Sequence, residues 1–236
     1  MARKRPEGRL EQLLDSATRV FTAQGYRRTQ MADVAREMGV SPGTLYGYVE
    51  GKEALFHLLI DRAFTGRPAE PPPLPVPTPA PGATLARLRD RLTVETALPR
   101  LAAATARSKV PDPRRELEEV LGELYDLTER TQTGAALLER SAAEMPGLAI
   151  AFYVEVRRDL LTRLTRYLEK RIRAGHLRRV PDPATVARLI LETVTWFGRH
   201  RLRDPDPGTI DDATARATAL DFLVAGLVLP AKRAAR

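Results

Sequence analysis

The chain has 236 residues, enough for a small domain and a larger one, each with its own core. Hydrophobic residues make up 43% and aromatic ones 6%, and the abundant Ala, Leu, Arg and Glu favour helices over sheets. The absence of cysteine excludes disulfides and thiolate zinc sites, and the three scattered histidines (His57, His176, His200) suggest no metal site. A charged start without a signal-peptide core, and a longest apolar run (Phe222 to Leu229) too short to span a bilayer, point to a cytoplasmic protein with no membrane partner. Net charge is +8, which permits nucleic-acid binding, but residues 1–64 hold ten Lys and Arg against eight Asp and Glu. Most of the excess therefore lies elsewhere in the chain.

A basic arm (residues 1–9, with Arg3, Lys4 and Arg5) precedes Leu10, Leu13, Leu14, Ala17, Val20 and Phe21. Their spacing of three and four predicts one amphipathic helix, closed at Gly25. Thr29 stands where a second helix needs an N-cap, and Met31, Val34, Ala35 and Met38 give that helix its apolar face up to Gly39. Ser41-Pro42 starts a third helix with Leu45 and Val49 inward; Gly51-Lys52 opens a fourth carrying Leu55, Leu58 and Leu59. Eight prolines between Gly66 and Gly82 favour extended structure, so 65–83 is predicted to be a connector.

Five or six helices are predicted beyond it, over 84–230. Leu85, Leu88 and Leu92 start the first, and Pro111-Asp112-Pro113 precedes one with Leu117, Val120, Leu121 and Leu124. A shorter one covers about Ala135–Met145. Phe152, Val156, Leu160, Leu164, Leu168 and Ile172 predict one long helix of about seven turns, ended at Gly175. Residues 184–201 are apolar on more than one side, and a final helix spans roughly 209–229. The expected fold class is all-α: a three-helix helix-turn-helix domain over 1–64, then a helical C-terminal domain.

The segment TQMADVAREMGVSPGTLYGYVEGKEALF (Thr29 to Phe56) carries the chemistry. Small Ala35 lets the next helix approach, Gly39 permits a tight turn and Val40 plugs the corner. Pro42, Gly43, Thr44, Tyr46 and Tyr48 are then expected outward, with hydroxyls for phosphates or base edges and a glycine allowing close approach. Lys52 and the first N–H groups of the fourth helix form an expected phosphate clamp.

This segment resembles the DNA-binding domain of the tetracycline-repressor (TetR/AcrR) family of bacterial regulators, above all in GVSPGTLYGYVEGKEALF, with FTAQGYRRT closing the first helix. The resemblance covers about Leu10 to Phe56. It implies that Thr29 caps the second helix and touches a phosphate, and that Ser41, Pro42, Gly43 and Thr44 form the groove-facing start of the recognition helix. It further implies that Tyr46 and Tyr48 contact phosphate or bases and that Lys52 holds phosphate. Gly47 and Val49 depart from the family pattern, where larger side chains are usual.

The resemblance also implies a C-terminal ligand-binding and dimerisation domain, with the last two helices pairing with those of a second copy. Its partners would be a near-palindromic operator in double-stranded DNA, itself as homodimer, and a small-molecule effector. Glu95, Thr96, Tyr125, Met145, Phe152, Tyr153 and Trp196 are candidate lining residues for that effector. No cofactor, metal or catalytic residue is expected. The competing readings are an activator of the same family, a DNA-modifying enzyme, or a binder acting through charge alone.

Overall fold

The computed structural model describes residues 8–65, 72–205 and 210–229. Helices α1 (Arg9–Gln24), α2 (Met31–Met38), α3 (Pro42–Leu45) and α4 (Lys52–Thr65) come first. Then follow α5 (Ala83–Glu95), α6 (Pro99–Ala106), α7 (Pro113–Arg130), α8 (Gln132–Ala142) and α9 (Pro146–Ala149). A π-helical stretch, Ile150–Val156, runs into α10 (Arg157–Arg173), and α11 (Pro183–Gly198), a 3-10 turn at His200–Arg203 and α12 (Asp212–Leu227) complete the order. The fold is all-α, and among the described residues pairing of extended backbone is limited to two isolated bridges, Val49 with Val76 and Leu177 with Val228. No described helix is long and apolar enough to cross a membrane.

Several helix starts follow from local chemistry. In both Pro-Asp-Pro triplets the aspartate is the N-cap and the second proline takes the first helical position: Asp112 accepts from Arg115 N at 3.0 Å and Asp182 from Thr185 N at 2.7 Å. Asp211 caps α12 in the same way, through Thr214 N. The carboxyls of Asp182 and Asp211 are held below the usual carboxylate range, first by the threonine hydroxyl they accept from and then by the amide. Their caps thus stabilise the fold above that range and weaken as acid protonates them.

By packing, the chain forms two compact units, and neither is a single run of sequence. The first lies within Met1–Val94 and Thr133–Val156. Leu13, Ala17 and Phe21 of α1, Val34 of α2, Leu45 of α3 and Leu55 and Ile60 of α4 share one buried cluster with Leu88 and Leu92 of α5 and Leu137 and Leu138 of α8. Phe21 and Phe56 meet at 5.4 Å between ring centroids. Gly134 makes room for Phe64, since a Cβ there would lie 2.8 Å from the ring.

The second unit lies within Glu95–Gln132 and Arg157–Arg236. Helix α7 packs against α6, α11 and α12, and α10 against α6 and α11. Arg171 and Glu116 form a buried ion pair at 2.6 Å, and the guanidinium also donates to the carbonyls of Ala104 and Arg107. Such a pair is tolerated because its remaining donors are satisfied. Glu123 of α7 accepts from Arg100 N and Leu101 N at 2.8 and 2.9 Å, which caps α6 from across the interface.

Two expectations change in detail. The stripe from Phe152 to Ile172 begins in the π-helical stretch rather than in one unbroken α-helix. A strict spacing of four drifts by about 40° per step on an α-helix, and a wider turn absorbs part of that drift. In α11, Ala187, Ile190 and Val194 are fully buried, whereas Leu189 and Trp196 remain 59% and 42% exposed. Helix α12 leaves Phe222 78% exposed.

Helices α7 and α11 approach closely at Gly198, where a Cβ would lie 2.1 Å from the Thr128 hydroxyl. That hydroxyl is buried and donates to the Tyr125 carbonyl at 2.7 Å. Gly198→Ala is expected to cost about 2 kcal/mol in a urea-unfolding experiment. Adding Thr128→Ala should recover part of the loss, and equal stability of the two variants would show that the contact is not the cause.

Candidate nucleic-acid interface

The turn between α2 and α3 is built as a helix-turn-helix requires. Gly39 takes a left-handed φ of +71°, which suits a residue without Cβ, and Val40 N donates to Ala35 O at 2.9 Å. Helix α3 then starts with Pro42 in its first turn and ends after four residues. The Ser41 carbonyl accepts from Thr44 N at 3.0 Å, and the two hydroxyls of Ser41 and Thr44 lie 3.0 Å apart. The serine side chain is engaged with Thr44 and so does not cap the backbone. Leu45 is fully buried, while Ser41, Pro42, Gly43, Thr44 and Tyr46 are exposed above it, Tyr46 by 51%. One short helix thus presents small residues, two hydroxyls and one aromatic ring on a single open surface.

Three expected contacts are placed differently. Tyr48 is 6% exposed and belongs to the core. Its distance of three from Leu45 sets it on the buried face with Val49, a periodicity visible in the sequence. Thr29 is buried, and Gln30, not Thr29, is the N-cap of α2, with Asp33 accepting from Gln30 N at 3.0 Å. The Thr29 hydroxyl donates instead to Gly25 O at 2.7 Å, closing the turn after α1. Lys52 directs its ammonium to the carbonyls of Tyr26 and Arg27 at 3.1 and 3.4 Å and over the Tyr26 ring at 4.7 Å. Much of its charge is committed within the protein. Arg3, Lys4 and Arg5 lie outside the described residues.

Comparison with known proteins places this geometry. Residues 13–59 match the model of bacterial regulatory proteins of the tetR family, and residues 129–219 match the C-terminal domain of AefR-like transcriptional repressors. The chain belongs to the TetR family of transcriptional regulators. The fatty acid metabolism regulator protein of Bacillus subtilis is 38% identical over 53 residues, which is 22% of this chain and 26% of that relative. The match therefore spans about a quarter of the relative's length. In fold, the ketosteroid transcriptional regulator of Mycobacterium tuberculosis aligns at a TM-score of 0.58 and 18% identity, covering 98% of this chain and all of that one. AibR, solved with isovaleryl coenzyme A and operator DNA, aligns at 0.53 and 16%, covering 92% of this chain and 98% of its own.

The seven candidate effector contacts of this TetR-family chain fall in different surroundings. In the first unit, Met145 and Phe152 are half-buried against the core and Tyr153 is 39% exposed. In the second, Glu95 pairs with Arg130 at 3.1 Å and the Thr96 carbonyl accepts from Arg163. Trp196 is exposed, and Tyr125 is fully buried with its hydroxyl raised above the usual tyrosine range, first by burial and then by Glu129. A cleft of about 220 Å³ in that unit is lined instead by Pro99, Arg100, Ala103, Arg107, Glu116 and Glu119, among others.

Tyr26 is the residue that pattern reading overlooked. Its ring packs against Phe21 and Phe56 and under the Lys52 ammonium, while its hydroxyl bonds Glu53 at 3.2 Å. The hydroxyl is pushed up to about 12 by burial, then by the charge of Glu53 and the bond to it, so it stays a donor at neutral pH. The tyrosine sits in a turn outside any apolar stripe, within the FTAQGYRRT segment that carries the resemblance but without a periodicity that gives it a role. Lys52→Ala is expected to lower unfolding free energy by about 1 kcal/mol, beyond any loss of DNA binding. An unchanged melting temperature would show that these contacts add nothing to stability.

Proposed function

We propose that this chain is a repressor that binds a near-palindromic operator as a homodimer and is released by a small-molecule effector. The observation that carries the reading is the exposed set Ser41, Pro42, Gly43, Thr44 and Tyr46 held above a fully buried Leu45. Small residues let the backbone approach a major groove, and the hydroxyls of Thr44 and Tyr46 supply donors for phosphates and base edges. Exposed Arg27 and Arg28, the arm residues Arg3, Lys4 and Arg5, and the uncommitted donor of Lys52 contribute phosphate contacts.

The homodimer is supported by the exposed Leu189, Trp196 and Phe222 on α11 and α12, apolar area that a second copy would cover. Two copies with recognition helices about 34 Å apart would read successive major grooves. A small-molecule effector is supported by AibR, a protein of the same fold solved with both isovaleryl coenzyme A and operator DNA, and release on effector binding is the outcome proposed for this chain. An effector acts by favouring the dimer geometry that does not fit DNA. By role we divide the chain into DNA-binding residues 1–64, a connector 65–83 and a sensor and dimerisation region 84–230. This division concerns function; by packing, α5 and α8 stand with the first four helices.

Footprinting with duplexes selected from a random library is expected to show one symmetric protected segment. Tyr46→Ala should weaken binding to that duplex about tenfold with an unchanged melting temperature. Indiscriminate protection that collapses steeply with salt would point to a charge-driven binder and overturn the reading.

A further inference from the structure

The proline-rich stretch is more than a spacer. Val76 is buried at 7% exposure in the same cluster as Leu45 and Val49, with Leu74 packed against it. Val76 N donates to Tyr48 O at 2.8 Å, Glu50 N donates to Val76 O at 3.0 Å, and Thr78 N donates to Glu50 Oε2 at 2.8 Å. These bonds fall on the turn that ends the DNA-facing helix. The last carbonyls of this four-residue helix are met within the turn, Thr44 O by Gly47 N and Leu45 O by Tyr48 N and Val49 N, whereas the Tyr48 carbonyl and the Glu50 N–H lie beyond that ladder. Val76 supplies partners for both from elsewhere in the chain, as a capping motif would, and Thr78 N meets the Glu50 carboxylate.

Glu50 supplies a second, independent observation. A carboxylate four residues beyond Tyr46 repels phosphate, so on a DNA-facing surface it is an electrostatic cost. In this structure the carboxylate accepts the Thr78 amide. The same contacts argue against the stretch as a ligand for a proline-binding partner, because both backbone groups of Val76 are already used.

We propose that residues 74–78 are a brace that sets the orientation of the recognition helix, with Val76 and Glu50 as positioning residues for operator binding. The brace continues through Gly82 into α5, whose Arg87 and Arg91 pair with Asp61 of α4 and whose Thr84 bonds His57 at 3.1 Å. It therefore ties the recognition helix to the α4–α5 pair by a second link, made of hydrogen bonds and burial.

The proposal rests on the DNA-binding reading, and its test exploits a sign. By charge alone, Glu50→Ala removes a repulsion and should tighten DNA binding. By positioning, it should weaken binding about fivefold, the scale of one hydrogen bond. Glu50→Gln, which keeps an acceptor for Thr78 N, should bind at least as well as the original protein. The probe is a duplex selected by the full-length protein, and hydrogen exchange at the Val76 and Glu50 amides is read in parallel. Slow exchange that quickens in Glu50→Ala, together with weaker binding, is the expected result. Glu50→Ala binding as tightly as the original protein, or more so, would overturn the proposal. If the original protein selects no duplex, the DNA-binding reading fails and takes the positioning role with it, and slow exchange at those amides would then show a brace of purely structural use.

Discussion

Helix α3 contains barely one turn of backbone, and a turn of that length has no stability apart from what its neighbours supply. The surface formed by Ser41, Pro42, Gly43, Thr44 and Tyr46 is therefore only as well defined as the burial of Leu45, Tyr48 and Val49 beneath it. That burial is shared. The cluster receiving these three side chains also holds residues of α1, α2, α4, α5 and α8, together with Val76 from the proline-rich stretch. A perturbation at any of them reaches the exposed face through close-packed contacts, because such cores transmit strain rather than absorb it.

Polar links around the same core follow a common logic. Lys52 closes on two carbonyls of the turn after α1, the Thr29 hydroxyl closes that turn on Gly25, and Arg140 of α8 donates to the Ala23 carbonyl at 3.0 Å. Glu144 accepts from Arg27 N at 2.8 Å. The end of α1 is thus held by side chains from two distant stretches of sequence. In the second unit, the buried Arg171 and Glu116 and the Glu123 cap on α6 do comparable work, using charged groups to satisfy backbone that packing alone would leave unpaired.

Much of this was legible in advance. The apolar spacing in Leu10–Phe21, the Gly39 turn and the Ser41-Pro42 start required only local rules, and so did the Pro-Asp-Pro starts of α7 and α11. The exposed residues of α3, Ser41 to Thr44 with Tyr46 after them, were legible as its open side. Tyr48 was misplaced because residue type was weighed above its spacing from Leu45. Thr29 and Lys52 were assigned outward partners, whereas their partners, Gly25, Tyr26 and Arg27, lie in a turn with no periodicity to betray it. The effector candidates were the least legible, since pocket lining depends on how helices far apart in sequence meet.

The sequence by itself determined that the chain is helical, where most helices begin and end, and which family the N-terminal motif belongs to. Each of these follows from interactions spanning a few residues: caps, turns and the 3.6-residue period. The tertiary structure alone decided that α5 and α8 join the core of the first four helices, that Gly198 meets Thr128, and that a proline-rich stretch pairs with the turn after the recognition helix. Those outcomes depend on which apolar faces and unpaired backbone groups meet across tens of residues, and no local pattern encodes that choice. For the exposed face of α3, the sequence named most of the side chains; what holds them in place came from the rest of the fold.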